Sequence, residues 1–299
     1  MSAKRGLLLL LVLAGVLIAR PVYAQDEREQ VRQALLAQIN ADRGQYNLPP
    51  LQLEALACLA AEAHAAEMLA GDYLSHWNEA GFSPYHRYSL AGGYHYGEEN
   101  LFYYEQRGGV DSSAAGLMQL CLLGEASFMA EKPPRDGHRR SLLNPWHTHL
   151  GIGFAASPDS FRLVLLFTRH LTEEFSPAER VFSEGQPIQV SGQVAPGYAL
   201  HSIAIFYEPW PQRLELRGKK GMASYSLPKE RLDLFPILPP LWSYKDGTRG
   251  TIAVDEEGGF SAPLPPYRGP GVYTVVVWLT PGEDQQAIAA TEASFFVTQ

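Results

Sequence analysis

The apolar pattern of the chain changes near residue 172, and this change limits the possible folds more than any single motif. Before it, apolar residues recur at helical spacing and then in two strand-like runs. After residue 177 they alternate in short stretches punctuated by Gly and Pro. A chain of 299 residues with two such patterns is expected to hold two domains.

In the first pattern, Val31, Leu35 and Ile39 fall at i, i+4 and i+8, which predicts a helix over residues 26–42, with Asp26 and Glu27 near the positive end of its dipole. Asn47-Leu48-Pro49-Pro50 breaks that run. A second helix is expected from about Leu53 to Ala70, because Leu53, Leu56, Ala57, Ala60, His64 and Met68 share one face; Gly71 would end it. A third starts at Asp111-Ser112 and runs to Leu123. Leu150, Ile152 and Phe154 alternate as in a strand, and Phe161 to Phe167 is continuously apolar. The stretch Gly151 to Ala156 mimics a dinucleotide fingerprint, but a strand and not a helix follows it, so that reading is rejected.

In the second pattern, Ile188, Val190 and Val194 keep one phase, as do Ile203, Ile205 and Tyr207, and Val272, Val276 and Trp278. An all-β sandwich, immunoglobulin-like in the loose architectural sense, is expected over residues 179–299, after a linker at 173–178. The Pro-rich segment from Pro209 to Trp242 interrupts the strands and reads as a surface loop, with ligand contact as the alternative. Arg217-Gly218-Lys219-Lys220 inside it reads as a solvated basic turn.

Lys4 and Arg5 precede an apolar run from Gly6 to Ala19, and Val22-Tyr23-Ala24 places small residues where a leader peptidase cuts. Residues 1–24 are therefore read as a signal peptide, with an uncleaved anchor as the alternative. The mature chain is expected outside the cytoplasm, secreted or at the cell surface, with no membrane span after cleavage. A net charge of −8 argues against nucleic acid as a partner. Of the two cysteines, Cys58 and Cys121, one bridge is possible, and two buried thiols are the simpler expectation.

Residues 73–88, YLSHWNEAGFSPYHRY, crowd His76, Trp77, Tyr85, His86 and Tyr88 into what reads as a loop. His64, on the apolar face of the second helix, reads as a core imidazole, and His86 as an exposed one. Glu98, Glu99 and Asn100 stand before an apolar-aromatic run, where adjacent carboxylates are costly unless paired or liganded. His138 lies between a turn and a short helix. Distant His and Glu residues fit a borderline metal ion with an open position, but no H-E-x-x-H or G-x-S-x-G is present.

The ordered series Asn40-Ala41-Asp42-Arg43, Leu48-Pro49-Pro50-Leu51, Ser75-His76, Gly97-Glu98-Glu99-Asn100-Leu101, Gly137-His138-Arg139 and Leu150-Gly151-Ile152-Gly153 resembles the CAP superfamily of cysteine-rich secretory, antigen 5 and pathogenesis-related 1 proteins, in its cysteine-poor bacterial SCP-like branch. The resemblance covers about residues 30–170 within a domain read as 25–172. It implies an α+β fold: an α-β-α sandwich around an antiparallel sheet, with a cleft lined by two His and two Glu. Carried over by motif, His76 and His138 are the histidines, the second in a Gly-His-Arg-Arg-Ser string where the family has Gly-His-Tyr-Thr-Gln. Glu99 is the Glu of the Gly-Glu-Asn motif, and Phe128-x-x-Glu131 stands where the family has a Trp three residues before its second Glu.

The expected function is binding. The cleft would hold Zn2+ or another divalent cation through His76, His138, Glu99 and Glu131, with Trp77, Tyr85, Tyr88 and Asn100 lining a site for a small amphiphile, lipid or peptide. The second domain would engage a surface or protein partner. The alternatives are a metal-dependent hydrolase or peptidase, in which Glu99 and Glu131 would be catalytic, and a structural or adhesive module.

Overall fold

The computed structural model describes residues 22–221, 224–282 and 285–299. Residues 1–21, which carry most of the expected signal segment, lie outside the described residues. No helix among the described residues is long and apolar enough to cross a membrane.

The first half contains α1 (Val22–Gln45), β1 (Gln52–Leu53), α2 (Ala55–Ala70), α3 (Pro84–Leu90), β2 (Tyr96–Glu105), α4 (Ala114–Met129), α5 (Gly137–Leu142), β3 (His149–Ser157) and β4 (Ser160–Arg169). The strands form one sheet in the order β1-β3-β4-β2, antiparallel except for the β1–β3 pair. On one face Val31, Leu35 and Ile39 of α1 pack with Leu117, Cys121 and Phe128 of α4 and with Leu163, Leu165 and Phe167 of β4. On the other, Ala57, Ala61, Ala65 and Met68 of α2 and Tyr88 of α3 pack on Val164 and Leu166. The unbroken apolar run of β4 follows: each face of this strand is covered by a helical layer, so neither phase is polar.

Between the layers, β3 presents two glycines to α2. A Cβ on Gly151 would lie 2.3 Å from the Ala57 carbonyl carbon, and one on Gly153 2.1 Å from that of Ala61. The Gly-x-Gly that mimics a nucleotide loop is a landing site for an alanine-rich helix. The side chains of Asn40 and Arg43 fasten the layers together. Asn40 exchanges two hydrogen bonds with the Leu51 backbone, at 2.9 and 2.7 Å. Arg43, fully buried, donates to the carbonyls of Pro49, Leu142, Asn144 and His147. It thereby fixes the C-terminal end of α5.

Several expectations need correction here. Helix α1 starts upstream of Asp26 and Glu27, so these are not in its first turn. Gly71 caps α2 at φ −83°, and the left-handed position falls on Asp72, φ 52°. The stretch 73–88 is not all loop, because Pro84 opens α3 and the Ser83 amide donates to His86 Nδ1 at 3.3 Å. The segment read as a linker begins with a strand, β5 (Thr172–Ser176), paired antiparallel to Ser191, Gln193 and Val194. Cys58 and Cys121, by contrast, are the two buried free thiols of the simpler expectation.

The second half adds β6 (Val181–Ser183), β7 (Ile188–Val194), β8 (Ala199–Glu208), β9 (Arg231–Leu234), β10 (Ala253–Val254), β11 (Gly259–Leu264), β12 (Gly271–Thr280), β13 (Ile288–Ala289) and β14 (Ala293–Thr298). One sheet runs β10-β11-β7-β5 and the other β6-β14-β12-β8-β9, with β13 on β12. Val190, Phe260, Ile203, Val275, Val277 and Phe295 belong to one core between them.

The halves meet along α3 and the start of β2. Tyr96 N–H donates to Ala290 O at 3.0 Å, Glu292 N–H to Tyr94 O at 2.9 Å, and Arg169 to Ala289 O at 3.1 Å. His86, expected to be exposed, is fully buried in this seam, 2.9 Å from the Glu208 carboxylate and against Phe82, Tyr85 and Phe296. Strand β2 is the outer strand of its sheet, and its free edge is capped by side chains: Gly97 N–H donates to Glu292 at 3.4 Å and Glu99 N–H to the Tyr225 hydroxyl at 2.8 Å.

Candidate functional site

Adjacent residues of β2 point to opposite faces of the sheet, which separates Glu98 from Glu99. Glu98 turns to His147, Arg169 and Asn144, at 3.3, 3.2 and 3.4 Å. Glu99 turns to His76, whose Nδ1 lies 2.9 Å from Oε1, while Arg87 of α3 holds Oε2 at 2.7 Å. Burial opposes ionisation of Glu99, but the Arg87 guanidinium and the His76 hydrogen bond outweigh it and hold the carboxyl at about 2. His76 is fixed from both sides in sequence. Arg87 also donates to its carbonyl at 2.6 Å, and the preceding Ser75 carbonyl is bound by His64 at 2.8 Å. His64 is the core imidazole its helical phase suggests; burial drives its value down to about 3.

Glu131 follows the last turn of α4 and grips the start of α5. Its carboxylate accepts from the His138 and Arg139 amides at 3.0 and 3.3 Å and lies 2.5 Å from His138 Nδ1. Phe128 stacks on the His138 ring at 4.7 Å. Asn100, on the opposite face from Glu99, donates to the His138 carbonyl at 2.9 Å. Strand β2 thus supplies Glu99 to one pair and a hydrogen bond to the backbone of the other.

Two matched imidazole–carboxylate pairs result. With Nδ1–H given to a carboxylate, each ring keeps its lone pair on Nε2. Among the described residues no group of three or more His, Cys, Asp or Glu side chains is arranged to hold a metal ion. His76, His138, Glu99 and Glu131 do not form one four-donor shell. As a donor set they offer two imidazole nitrogens, with each carboxylate behind its ring.

The aromatic residues expected around this site divide. Trp77 is half-buried beside His76, its amide donating to Ser75 Oγ. Tyr85 is buried, with its hydroxyl toward Glu208 of the second half and its ring 6.4 Å from Tyr225. Tyr88 points away: its hydroxyl binds Glu54 at the N-terminus of α2.

That contact belongs to a second polar cluster the sequence does not announce. Glu54 also accepts from Thr168 at 2.6 Å and lies 3.0 Å from His170 Nε2. Burial opposes its ionisation, and these partners prevail to hold it at about 2. The His170 ring is stacked between His95 and His149, at 3.7 and 3.5 Å. Its members come from five segments, so no spacing reveals it.

The largest omission is Tyr225, in the segment read as a surface loop. Its ring lies 4.9 Å from that of His76, and its hydroxyl occupies the Glu99 amide. Desolvation pushes its hydroxyl well above the ordinary tyrosine value.

Residues 36–168 match the family model described as CAP, the cysteine-rich secretory protein family. The first half of the chain is accordingly a CAP domain, and the remainder lies outside that match. Among solved structures, the chain is similar to an extracellular SCP-domain protein from Bacillus anthracis (23% identity, TM-score 0.34, covering 46% of this chain and 39% of that one). It is also similar to an outer surface protein from Borrelia burgdorferi (16%, TM-score 0.37, 47% and 93%) and a cysteine-rich secretory protein from Staphylococcus aureus (17%, TM-score 0.30, 46% and 39%). The chain spans about two fifths of the length of the first of these. No curated protein matches it.

Proposed function

We propose that this protein acts outside the cytoplasm as a ligand-binding CAP protein. In this reading the His76–Glu99 and His138–Glu131 pairs form its binding cleft. The observation that carries the reading is the matched geometry: each imidazole spends Nδ1 on a carboxylate and keeps Nε2 for a ligand. His76 and His138 would hold a divalent cation such as Zn2+ through those nitrogens, with Glu99 and Glu131 orienting the rings from behind. Such an ion would polarise an oxygen of the ligand. Trp77, half-buried beside His76, supplies apolar wall for an amphiphile or peptide. The immunoglobulin-like second half carries the contact to a surface or partner.

Binding is favoured over hydrolysis by the state of the carboxylates. Glu99 is bound by Arg87 and His76 and held at about 2, which makes it a poor proton acceptor. Glu131 is committed to two amides and a ring.

Calorimetric titration of zinc into the mature chain tests the site. His76→Ala and His138→Ala should each weaken binding about tenfold or more, while His201→Ala, in the second half, leaves it unchanged. Equal zinc affinity in the wild type and His138→Ala would refute the metal assignment.

A further inference from the structure

The second half sends a strap across the CAP domain. It leaves β8 at Glu208 and rejoins the sheet at β9; its stretch from Pro211 to Gly221 lies on the first half, while Leu227 packs back on the sandwich. Trp210 anchors the start through its indole N–H to Val297 O at 3.1 Å. The backbone then crosses Gly81, where a Cβ would meet Gln212 O at 2.2 Å; with φ at +83° the position suits glycine twice over. Leu214 N–H donates to Glu79 O at 2.8 Å and Gly218 N–H to Asp72 O at 2.8 Å. Leu74 and Lys220 pair as a parallel bridge, with Leu74 N–H to Lys219 O at 2.9 Å and Gly221 N–H to Leu74 O at 3.0 Å.

Side chains follow the same logic. Leu216 is 1% exposed and joins the α2 core layer with Tyr73 and Leu101. Lys220, expected to be solvated, bridges Asp72 at 2.6 Å and Glu105 at 2.8 Å. Tyr225 then reaches the His76–Glu99 pair, and its hydroxyl takes the edge amide that a neighbouring strand's carbonyl would take. Extended backbone bonds, one buried aliphatic anchor, one cation between carboxylates and one aromatic at the pair are the contacts of a bound peptide, made here by the chain itself.

We propose that residues 211–221, with Tyr225 beyond them, are a tethered occupant of the CAP cleft, and that the ligand which replaces them is an extended peptide bearing an aromatic side chain. This rests on the reading of the His–Glu cleft as a binding site. Among the contacts described the strap reaches the His76–Glu99 pair, so that side of the cleft is closed until the strap lifts. Apparent affinity for an outside peptide is then reduced by the fraction of molecules with the strap seated.

The test uses a fluorescein-labelled synthetic peptide of residues 209–229 and the mature chain in three forms. Lys220→Glu with Tyr225→Ala sets a like charge against Asp72 and Glu105 and removes the aromatic anchor, leaving Leu216 in place, so the fold keeps its core. Leu74→Cys with Lys220→Cys locks the strap on oxidation, since bridged parallel strands lie ~4.8 Å apart and disulfides span ~4.4–6.8 Å. Fluorescence anisotropy should show the released chain binding the peptide about tenfold or more tighter than the wild type. The locked chain should lose binding when oxidised and regain it when reduced. A locked chain that still takes the peptide, or a released chain that takes it no better than the wild type, overturns the proposal. Zinc titration of the same samples separates the two readings. Zinc affinity without peptide exchange removes the strap alone, and loss of both removes the cleft.

Discussion

Glu292 offers the sharpest quantitative test of the seam between the halves. Its side chain is 4% exposed, and its contact to the Gly97 amide is long, at 3.4 Å. Desolvation pushes its carboxyl from the ordinary 4.5 up to about 8, against the pull of that amide and of Arg169. The folded protein therefore keeps this proton over a range in which the unfolded chain has lost it. Stability from this group is fully present below about 4.5 and is lost as pH rises towards about 8. Each pH unit in that window costs ~1.4 kcal/mol, so near pH 7.5 the carboxyl costs the fold ~4 kcal/mol relative to its protonated state. Glu292→Gln keeps the shape and an acceptor for Gly97 but does not titrate. Urea unfolding of wild type and variant at matched pH cancels the opposite contributions of Glu54, Glu98 and Glu99, all held at about 2. The variant should gain up to ~4 kcal/mol over the wild type near pH 7.5, with the gain shrinking to nothing near pH 4.5. A difference that does not vary with pH would refute the assignment of a buried, proton-holding carboxyl at this seam.

Further substitutions probe the scaffold under the site. Gly153→Ala forces a Cβ against the α2 backbone and should cost ~3 kcal/mol in thermal or denaturant unfolding, whereas Gly44→Ala, with no atom within 4 Å, should be neutral or slightly stabilising. Arg43→Ala leaves four carbonyls without their donor and should cost ~3 kcal/mol; Arg43→Lys, with a point charge in place of a planar fork, should recover only part of it.

The sequence carried the CAP half because its motifs are local and ordered. Helical phase placed α1 and α2, and Phe128-x-x-Glu131 put a stacking ring and a carboxylate around His138. Alternation carried the strands of the second half, since one face of each sheet must be apolar to make a common core. Three features were not legible because they depend on contacts distant in sequence. Helix α3 hides behind an aromatic run, and its start rests on Pro84 and on His86 serving as a cap acceptor. His86 looks exposed in sequence because its cover, Glu208 and Phe296, comes from the other half. Tyr225 sits in a Pro-rich segment with no periodicity, and only the register of Leu74 against Lys220 brings it over His76.

The capped edge of β2 has a consequence for how the protein is made. A chain that leaves the ribosome or crosses a membrane from its N-terminus presents the CAP half first, complete in its own helices and sheet. Yet the amide of Gly97 waits for a carboxylate 195 residues further on, and that of Glu99 for a hydroxyl 126 residues further on. Until those arrive, the nascent domain carries an unpaired strand edge beside the His76–Glu99 pair, the feature through which sheets join to other chains. Maturation of this domain therefore waits for residues as far along the chain as Glu292, and the rate of synthesis sets the interval during which the edge stands open.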